Sequence, residues 1–141
     1  QRLPNSIGYV EYAYAKQNAM TYLQLRNHDG KTVAPQAAAF AAAAANADWA
    51  RAEGYCLVLT DQPGAASWPI TGASFIIMYK VPKDAAAAAE ALKFFAWSYR
   101  NGAGLASGLD YVPLPANVVK LVEQTWKGSI LVDGKPVWSG K

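Results

Sequence analysis

One apolar stretch, Ser74–Val81 (SFIIMYKV), restricts the fold of this chain more than any other part of the sequence. Its residues are mostly β-branched or aromatic and do not alternate with polar ones, which is typical of a strand buried on both faces. Asp84 follows, and its side chain can cap a helix that we expect from Ala85 to about Arg100. A buried strand that leads directly into a helix predicts an α/β fold.

The helix predicted after Asp84 has one apolar face and cations near its end. Lys93 and Arg100 lie towards the C-terminal end, where the helix dipole favours positive charge. Apolar residues recur at helical spacing, so we expect one face to pack on the core. That face comprises Ala88, Leu92, Phe95, Ala96 and Tyr99.

The first third of the chain shows the same alternation of strand and helix signals. Ser6–Val10 is predicted to be a short buried strand, and a short helix is expected within Glu11–Gln17. Met20–Arg26 and Thr32–Val33 flank Asn27–Gly30, whose Asp-Gly pair is a strong hairpin signal. The sequence therefore predicts strand, helix and hairpin in that order.

Alanine and proline mark the next elements. Pro35, at a first-turn position, is expected to open an alanine-rich helix that runs to about Asn46, with Trp49 packing back on it. Thr60–Ser67 (TDQPGAAS) is rich in turn formers and predicts a loop or linker. Gly-rich Asn101–Asp110 predicts a break with a short helical turn.

The last part of the chain is predicted to be a helix followed by a turn. Leu114-Pro115 is expected to start the helix, and Asp133–Pro136 is a second turn signal before Val137-Trp138. We detect no internal repeat and no disordered low-complexity tail. The inner face of the last helix is expected to comprise Val118, Leu121, Val122, Thr125 and Trp126.

Composition and charge argue against two classes of function. The 141 residues are 52% hydrophobic and 16% charged, with 13 Lys+Arg against 10 Asp+Glu and a net charge of +3. The charges are scattered, so the clustered basic patch of a nucleic-acid-binding protein is missing. The Ala37–Ala45 run is too weakly apolar for a membrane span, and we expect a soluble chain.

The residues used most often in catalysis and metal binding are scarce. Cys56 is the one cysteine and His28 the one histidine, so a disulfide framework and a multi-Cys or multi-His metal site are excluded by number. Cys56 lies in an apolar run and is predicted to be a buried, inert thiol, and His28 is predicted to be exposed at the hairpin tip. No Gly-x-Ser-x-Gly motif accompanies a serine. We expect no enzyme activity, no catalytic residue, no metal ligand and no cofactor.

Backbone amides and hydroxyl groups can bind an anion without metal or lysine, and a few residues here are candidates. Gly102–Gly108 looks like a phosphate loop but follows a predicted helix instead of opening one, so it is better read as a helix end. Thr71, Ser74 and the N-terminus of the Asp84 helix are candidate anion contacts, but Asp84 would repel an anion there. The residues alone indicate an α/β piece without a recognisable site.

Several segments resemble, in the same order, segments of the proteobacterial phosphate-binding proteins, the periplasmic receptors of phosphate ABC importers. The resemblance covers essentially all 141 residues. The segments are Gln1–Asn18 (QRLPNSIGYVEYAYAKQN), Asp29–Val33, Ala47–Trp49, Ser67–Thr71, Leu92–Tyr99, Leu109–Tyr111, Leu114–Pro115 and Asp133–Pro136.

The resemblance implies the C-terminal portion of a two-lobed periplasmic-binding-protein fold of type II. Residues 1–64 would complete one lobe, and residues 65–141 would cross back and complete the other. Trp68, Pro69, Ile70 and Thr71 would form one hinge crossing, which agrees with the linker read at Thr60–Ser67. The segment would supply scaffold and hinge.

The resemblance does not transfer a phosphate site. The family's ligands are a Thr-Phe pair, a Ser, an Asp, and an Arg followed by Ser-Gly-Thr, all in the part that precedes this segment. No Ser-Gly-Thr tripeptide occurs here. We therefore expect no phosphate ligand in this segment.

The partners implied by the resemblance belong to the whole receptor. They are inorganic phosphate, the missing N-terminal part of the same protein and the membrane permease of the importer, in the periplasm, with self-association of the fragment as a further expectation. The start at Gln1, without Met, fits a processed chain or a piece of a longer one. The alternative is an autonomous, non-catalytic interaction or structural module.

Overall fold

Five helices and two short hairpins, joined by long irregular segments, make up the computed structural model, which describes residues 4–140. Gln1–Leu3, the start of the first resembling segment, and Lys141 lie outside the described residues. In chain order the elements are α1 (Tyr12–Gln17), β1 (Leu25–Arg26), β2 (Thr32–Val33), α2 (Ala37–Asn46), two 3₁₀ turns (Trp49–Arg51 and Glu53–Tyr55), α3 (Ala85–Asn101), α4 (Ala103–Gly108), α5 (Ala116–Ser129), β3 (Leu131–Val132) and β4 (Lys135–Pro136).

Both hairpins form where the Asp-Gly pairs predicted turns. Strands β1 and β2 pair antiparallel with Leu25 opposite Val33, and β3 pairs with β4 with Leu131 opposite Pro136. In the first hairpin Gly30 has φ +74°, which a glycine adopts without strain and which suits the last residue of a three-residue loop. These local signals predicted the turns correctly.

Helix α3 confirms the expectation drawn from Asp84. The Asp84 Oδ1 atom accepts a hydrogen bond from the Ala87 backbone N–H at 2.9 Å, which satisfies one of the free donors of the first turn. Ala88, Leu92 and Ala96 are buried on the predicted inner face. Helix α3 then ends at Asn101, one residue beyond the expected end.

The other predicted helices are present with small differences at their ends. Helix α1 lies inside the expected Glu11–Gln17 range. In α2 the N-cap is Gln36, so Pro35 precedes the cap instead of occupying the first turn, and the helix ends at Asn46 as predicted. Trp49 is buried and its Nε1 donates to the Ala44 carbonyl at 2.7 Å, which confirms that it packs back on α2.

The strands predicted at Ser6–Val10 and Ser74–Val81 are wrong. Both segments are irregular, and their large side chains face solvent: Tyr9 and Ile77 are each 94% exposed. Within residues 4–140, the only sheets are the two-stranded hairpins. A segment with strand propensity becomes a strand only where a neighbouring strand accepts its backbone hydrogen bonds and a layer covers its side chains. The described part is therefore a mixed helix and strand fold with few strands.

Two apolar clusters form the core, and α5 contributes to both. The first cluster contains Ala44, Ala47, Trp49, Leu59 and Val118. The second contains Leu92, Ala96, Trp126, Ile130 and Trp138. Because Val118 packs against α2 and its flanks, the first cluster joins the ranges 1–64 and 65–141. The assignment of these ranges to two lobes stays a prediction.

The prediction that Cys56 is buried is wrong. Its side chain is exposed. From Cys56 to Leu59 the chain is not helical, and exposure alternates: Cys56 and Val58 are exposed, whereas Leu59 is buried in the first cluster. In an extended chain with one face packed on a core, every second side chain points outward. Cys56 is one of these outward side chains.

The helices of the described residues include none that is both long and apolar enough to span a bilayer. The alanine-rich α2, the segment for which the sequence raised the question, has 10 residues. A span requires about 20.

Candidate functional site

The described residues form a wide, open and mostly apolar cleft. Helix α1 and the segments around it form one wall, the irregular stretch from Trp68 to Ile76 forms the base, and the connection from the end of α3 to the start of α5 forms the other wall. The cleft therefore brings together parts of the chain that are up to about a hundred residues apart.

Of the four residues predicted as a hinge crossing, Trp68, Pro69, Ile70 and Thr71, all but Pro69 line this cleft. The Trp68 backbone N–H donates to the Ala39 carbonyl at 3.0 Å, and Trp68 is buried. Ile70 forms an isolated antiparallel bridge with Thr60. The Thr71 hydroxyl donates to the Trp68 carbonyl at 3.0 Å. The segment is thus fixed to α2 on one side and to the preceding loop on the other, and its role as a hinge stays a prediction.

A buried asparagine, Asn27, fixes the loop that leads into this segment. Asn27 is only 6% exposed. Its side-chain Nδ2 lies 3.1 Å from each of three carbonyl oxygens, those of Gly64, Ala65 and Ser67, and its Oδ1 accepts from the Lys31 N–H at 2.9 Å. The hairpin and the loop 60–67 are therefore held together by one side chain.

Other polar contacts around Asn27 complete this attachment. Ser67 is fully buried, and its hydroxyl donates to the Pro63 carbonyl at 2.7 Å while it accepts from Asn46 Nδ2 at 3.2 Å. The Asp29 carboxylate accepts from the Gly64 N–H at 3.2 Å. The sequence reading of 60–67 as a loop is confirmed, but the loop is anchored on both sides.

His28 is exposed at the hairpin tip, as predicted. Its Nδ1 lies 3.3 Å from the Asp61 Oδ2, and both side chains are more than half exposed. An exposed pair of this kind contributes little to stability.

Of the residues considered as anion contacts, Thr71 and Ser74 line the cleft, and the start of α3 does not. Thr71 uses its hydroxyl hydrogen on the Trp68 carbonyl, and Ser74 is an exposed residue of the cleft wall. At the start of α3 the Asp84 carboxylate already occupies the N–H of Ala87. Among the described residues, no group of three or more His, Cys, Asp or Glu could hold a metal ion.

One ion pair joins α1 to the turn after α4. Lys16 Nζ lies 2.5 Å from Asp110 Oδ1. The hydrogen bond and the negative charge of Asp110 raise the pKa of Lys16. The pKa of Tyr111 is raised by its hydrogen bond to Glu11 and by the charge of that carboxylate.

Comparison with known proteins identifies what the chain is similar to. No protein-family model matches it. The phosphate-binding protein PstS of Xylella fastidiosa (strain 9a5c) is 52% identical over 126 residues, which is 89% of this chain and 35% of the relative. PstS of Pasteurella multocida is 44% identical over 97% of the chain and 40% of the relative, and PstS of Haemophilus influenzae is 43% identical over 90% and 38%.

The chain is homologous to the C-terminal portion of the PstS phosphate-binding proteins. It spans about 35–40% of the length of the curated relatives that it matches. This confirms the resemblance seen in the sequence.

PstS proteins are binding proteins and not enzymes, which confirms that no catalytic role is expected here. That this segment serves as framework and holds no phosphate ligand stays a prediction.

Proposed function

We propose that this chain is part of a periplasmic receptor that binds inorganic phosphate and delivers it to an ABC importer. The observation that carries the proposal is the 52% identity to a phosphate-binding protein PstS over 89% of the chain. In this proposal the receptor has the two-lobed type II fold, with residues 1–64 in one lobe and 65–141 in the other. Trp68, Pro69, Ile70 and Thr71 form one crossing between the lobes.

The segment supplies scaffold and hinge, and the phosphate ligands come from the part of the receptor that the chain does not cover. Two observations support this division. The Thr71 hydroxyl and the Ala87 N–H at the start of α3 already have acceptors within the chain. The curated relatives are also about two and a half to three times as long as the matched segment.

The exposed segments Ser6–Val10 and Ser74–Val81 support a larger assembly. Their sequences favour strands, yet their apolar side chains face solvent, and contiguous apolar surface of this kind is typical of a face that another chain or segment covers. We propose that the rest of the receptor pairs with these segments and covers them. In isolation the same surface would favour self-association.

Complementation in trans tests this proposal. The chain is mixed with a separately produced polypeptide that covers the remaining portion of the receptor, and phosphate is titrated calorimetrically into the mixture. We expect a saturable heat in the mixture and slower amide exchange in 74–81 than in the chain alone. A mixture that neither binds phosphate nor protects 74–81 contradicts the proposal.

The alternative, an autonomous interaction or structural module, is favoured by the presence of two apolar clusters in the chain itself. The two functions differ in association state. Light scattering after size exclusion should show a concentration-dependent oligomer if the exposed segments need a partner, and a monomer at all concentrations if the module is autonomous.

A further inference from the structure

The ion pair between Lys16 and Asp110 joins two parts of the chain that are each anchored elsewhere. Lys16 and Asp110 are 94 residues apart in sequence, and the distance between Nζ and Oδ1 is 2.5 Å. Lys16 lies in the last turn of α1. The C-terminal end of this short helix is thus joined to the turn after α4.

Helix α1 is anchored on the side of residues 1–64. Ala13 is buried, and the Tyr12 ring lies 5.3 Å from the Phe40 ring of α2. Phe40 in turn lies 6.2 Å from the Trp68 ring at the base of the cleft. Aromatic pairs at these separations are attractive beyond their buried area, so α1 moves together with α2.

Asp110 and Tyr111 are anchored on the side of residues 65–141. The Asp110 N–H donates to the Ser107 carbonyl at 3.1 Å and the Tyr111 N–H to the Ala106 carbonyl at 2.9 Å, which closes the end of α4. Asp110 has φ +62°, a left-handed conformation that aspartate and asparagine tolerate better than most residues. Its carboxylate is therefore presented to α1 by a fixed turn.

The position of this ion pair relative to the core decides what it can do. The first apolar cluster also joins the two ranges, but it contains Leu59, next to the bridge between Thr60 and Ile70. It therefore lies close to the predicted crossing, whereas Lys16 is more than half exposed and lines, with Asp110, a small pocket next to the cleft. A rotation about the crossing separates the exposed ion pair first.

We propose that the Lys16–Asp110 ion pair forms a latch that holds α1 against the turn after α4. The latch adds no ligand to the site. It shifts the balance between closed and open arrangements of the two sides. The inference rests on the proposed function, because the crossing about which the two sides rotate is part of it.

Distance measurements on the chain test the latch without phosphate. Spin labels are attached at Arg51→Cys and Arg100→Cys, both exposed and one on each side, in a Cys56→Ser background because Cys56 is itself exposed. Pulsed electron–electron resonance then gives the distribution of distances. An exposed ion pair of this kind shifts an equilibrium by roughly two- to five-fold. We expect Lys16→Gln and Asp110→Asn to raise the ratio of long to short distances by that factor.

Two matched variants separate the latch from a general effect of charge. Lys16→Arg keeps the cation and should leave the distribution unchanged. Lys93→Gln removes the same charge from the Glu90–Lys93 pair, which lies within α3 at 2.7 Å, and should also change nothing. Equal distributions for Lys16→Gln and Lys93→Gln overturn the latch.

Phosphate release from the complete receptor supplies the second readout. Stopped-flow dissociation should be about two- to five-fold faster for Lys16→Gln than for Lys93→Gln, and high salt should remove the difference. If Lys16→Gln shifts the distances between the spin labels but phosphate dissociates from it at the same rate as from Lys93→Gln, the latch has no role in phosphate retention. A receptor that binds no phosphate with any variant rejects the proposed function, and the latch then depends on the distances alone.

Discussion

Replacement of Asn27 tests whether one buried amide holds the loop before the predicted crossing. The Nδ2 group has two hydrogens and faces three carbonyl oxygens at 3.1 Å, so it makes two full bonds or shares a hydrogen between two acceptors. The Oδ1 atom accepts one further bond, from the Lys31 N–H. Asn27→Ala removes all of these at once and leaves the Ser67 carbonyl in a buried position.

The magnitude follows from the number of bonds. About three hydrogen bonds at roughly 0.5–1.5 kcal/mol each predict a loss of about 2–4 kcal/mol in the free energy of unfolding. Asn27→Asp should cost about 1–3 kcal/mol more than Asn27→Ala, because an ionised carboxylate has no hydrogen to donate and would face three carbonyl oxygens. Asn27→Ala changes the side chain more than Asn27→Asp does, yet it is expected to lower the free energy of unfolding less.

Urea denaturation followed by tryptophan fluorescence measures these free energies, since Trp68 follows the anchored loop directly. Hydrogen exchange of the segment 60–70 supplies a local readout, and exchange should be fastest in Asn27→Asp. Asn101→Ala is the matched control: Asn101 is exposed and its Nδ2 bonds only to the Trp97 carbonyl of its own helix at 3.0 Å. We expect the control to lose less than about 0.5 kcal/mol.

The order of the two variants is the decisive result. If Asn27→Asp is as stable as the unmodified chain, or more stable than Asn27→Ala, the amide does not donate to the loop carbonyls and the anchoring described above is wrong.

Three further predictions concern the core, the loop and the alkaline limit of stability. Leu92→Ala, at a fully buried position, should cost about 2–5 kcal/mol in urea denaturation, whereas Leu105→Ala, at an exposed position, should stay within about 0.5 kcal/mol; equal losses contradict the second cluster as core. Gly64→Ala should cost more than about 1 kcal/mol, because Gly64 has φ +111° and a Cβ there would collide with the Asn46 amide and Ser67 hydroxyl, whereas Gly8→Ala meets nothing within 4 Å. The pKa of Tyr99 is raised by burial and then by the charge of Glu123, so the folded chain keeps the proton longer than the unfolded chain and stability falls as the pH rises above about 10. Thermal denaturation from pH 8 to pH 12 should show this fall, Tyr99→Phe should reduce it, and an unchanged slope in Tyr99→Phe would refute the assignment.

The elements that the sequence predicted correctly are those whose signals are local. Helix α3 follows from Asp84 and from apolar residues at helical spacing, and both hairpins follow from Asp-Gly pairs. Each of these elements depends on contacts between residues that are close in sequence, so the local sequence is enough to predict it.

The predictions that failed depend on neighbours outside the segment. Ser74–Val81 has the composition of a buried strand, but burial requires strands and layers from elsewhere, and the described residues do not supply them. For Cys56 the apolar run suggested burial. The alternating exposure of residues 56–59 depends on which face of the chain packs on the core, and the uniformly apolar sequence does not show it.

The long-range polar contacts could not have been found from the sequence. Nothing in the residues around Asn27 indicates that its amide reaches a loop 37–40 residues further along the chain. Lys16 and Asp110 are likewise ordinary charged residues until the fold brings them together. The family, in contrast, could be predicted from the sequence, because whole segments match those of relatives in the same order. Such a match does not depend on how each segment folds.

Calorimetric titration of inorganic phosphate into the chain alone tests the central claim most directly. The claim is that these residues form framework and crossing, and that the phosphate ligands belong to the part of the receptor that the chain does not cover. We therefore expect no saturable heat in the concentration range of a receptor. A saturable, high-affinity signal that survives removal of contaminating proteins would contradict the claim, because it would place a complete phosphate site within these 141 residues.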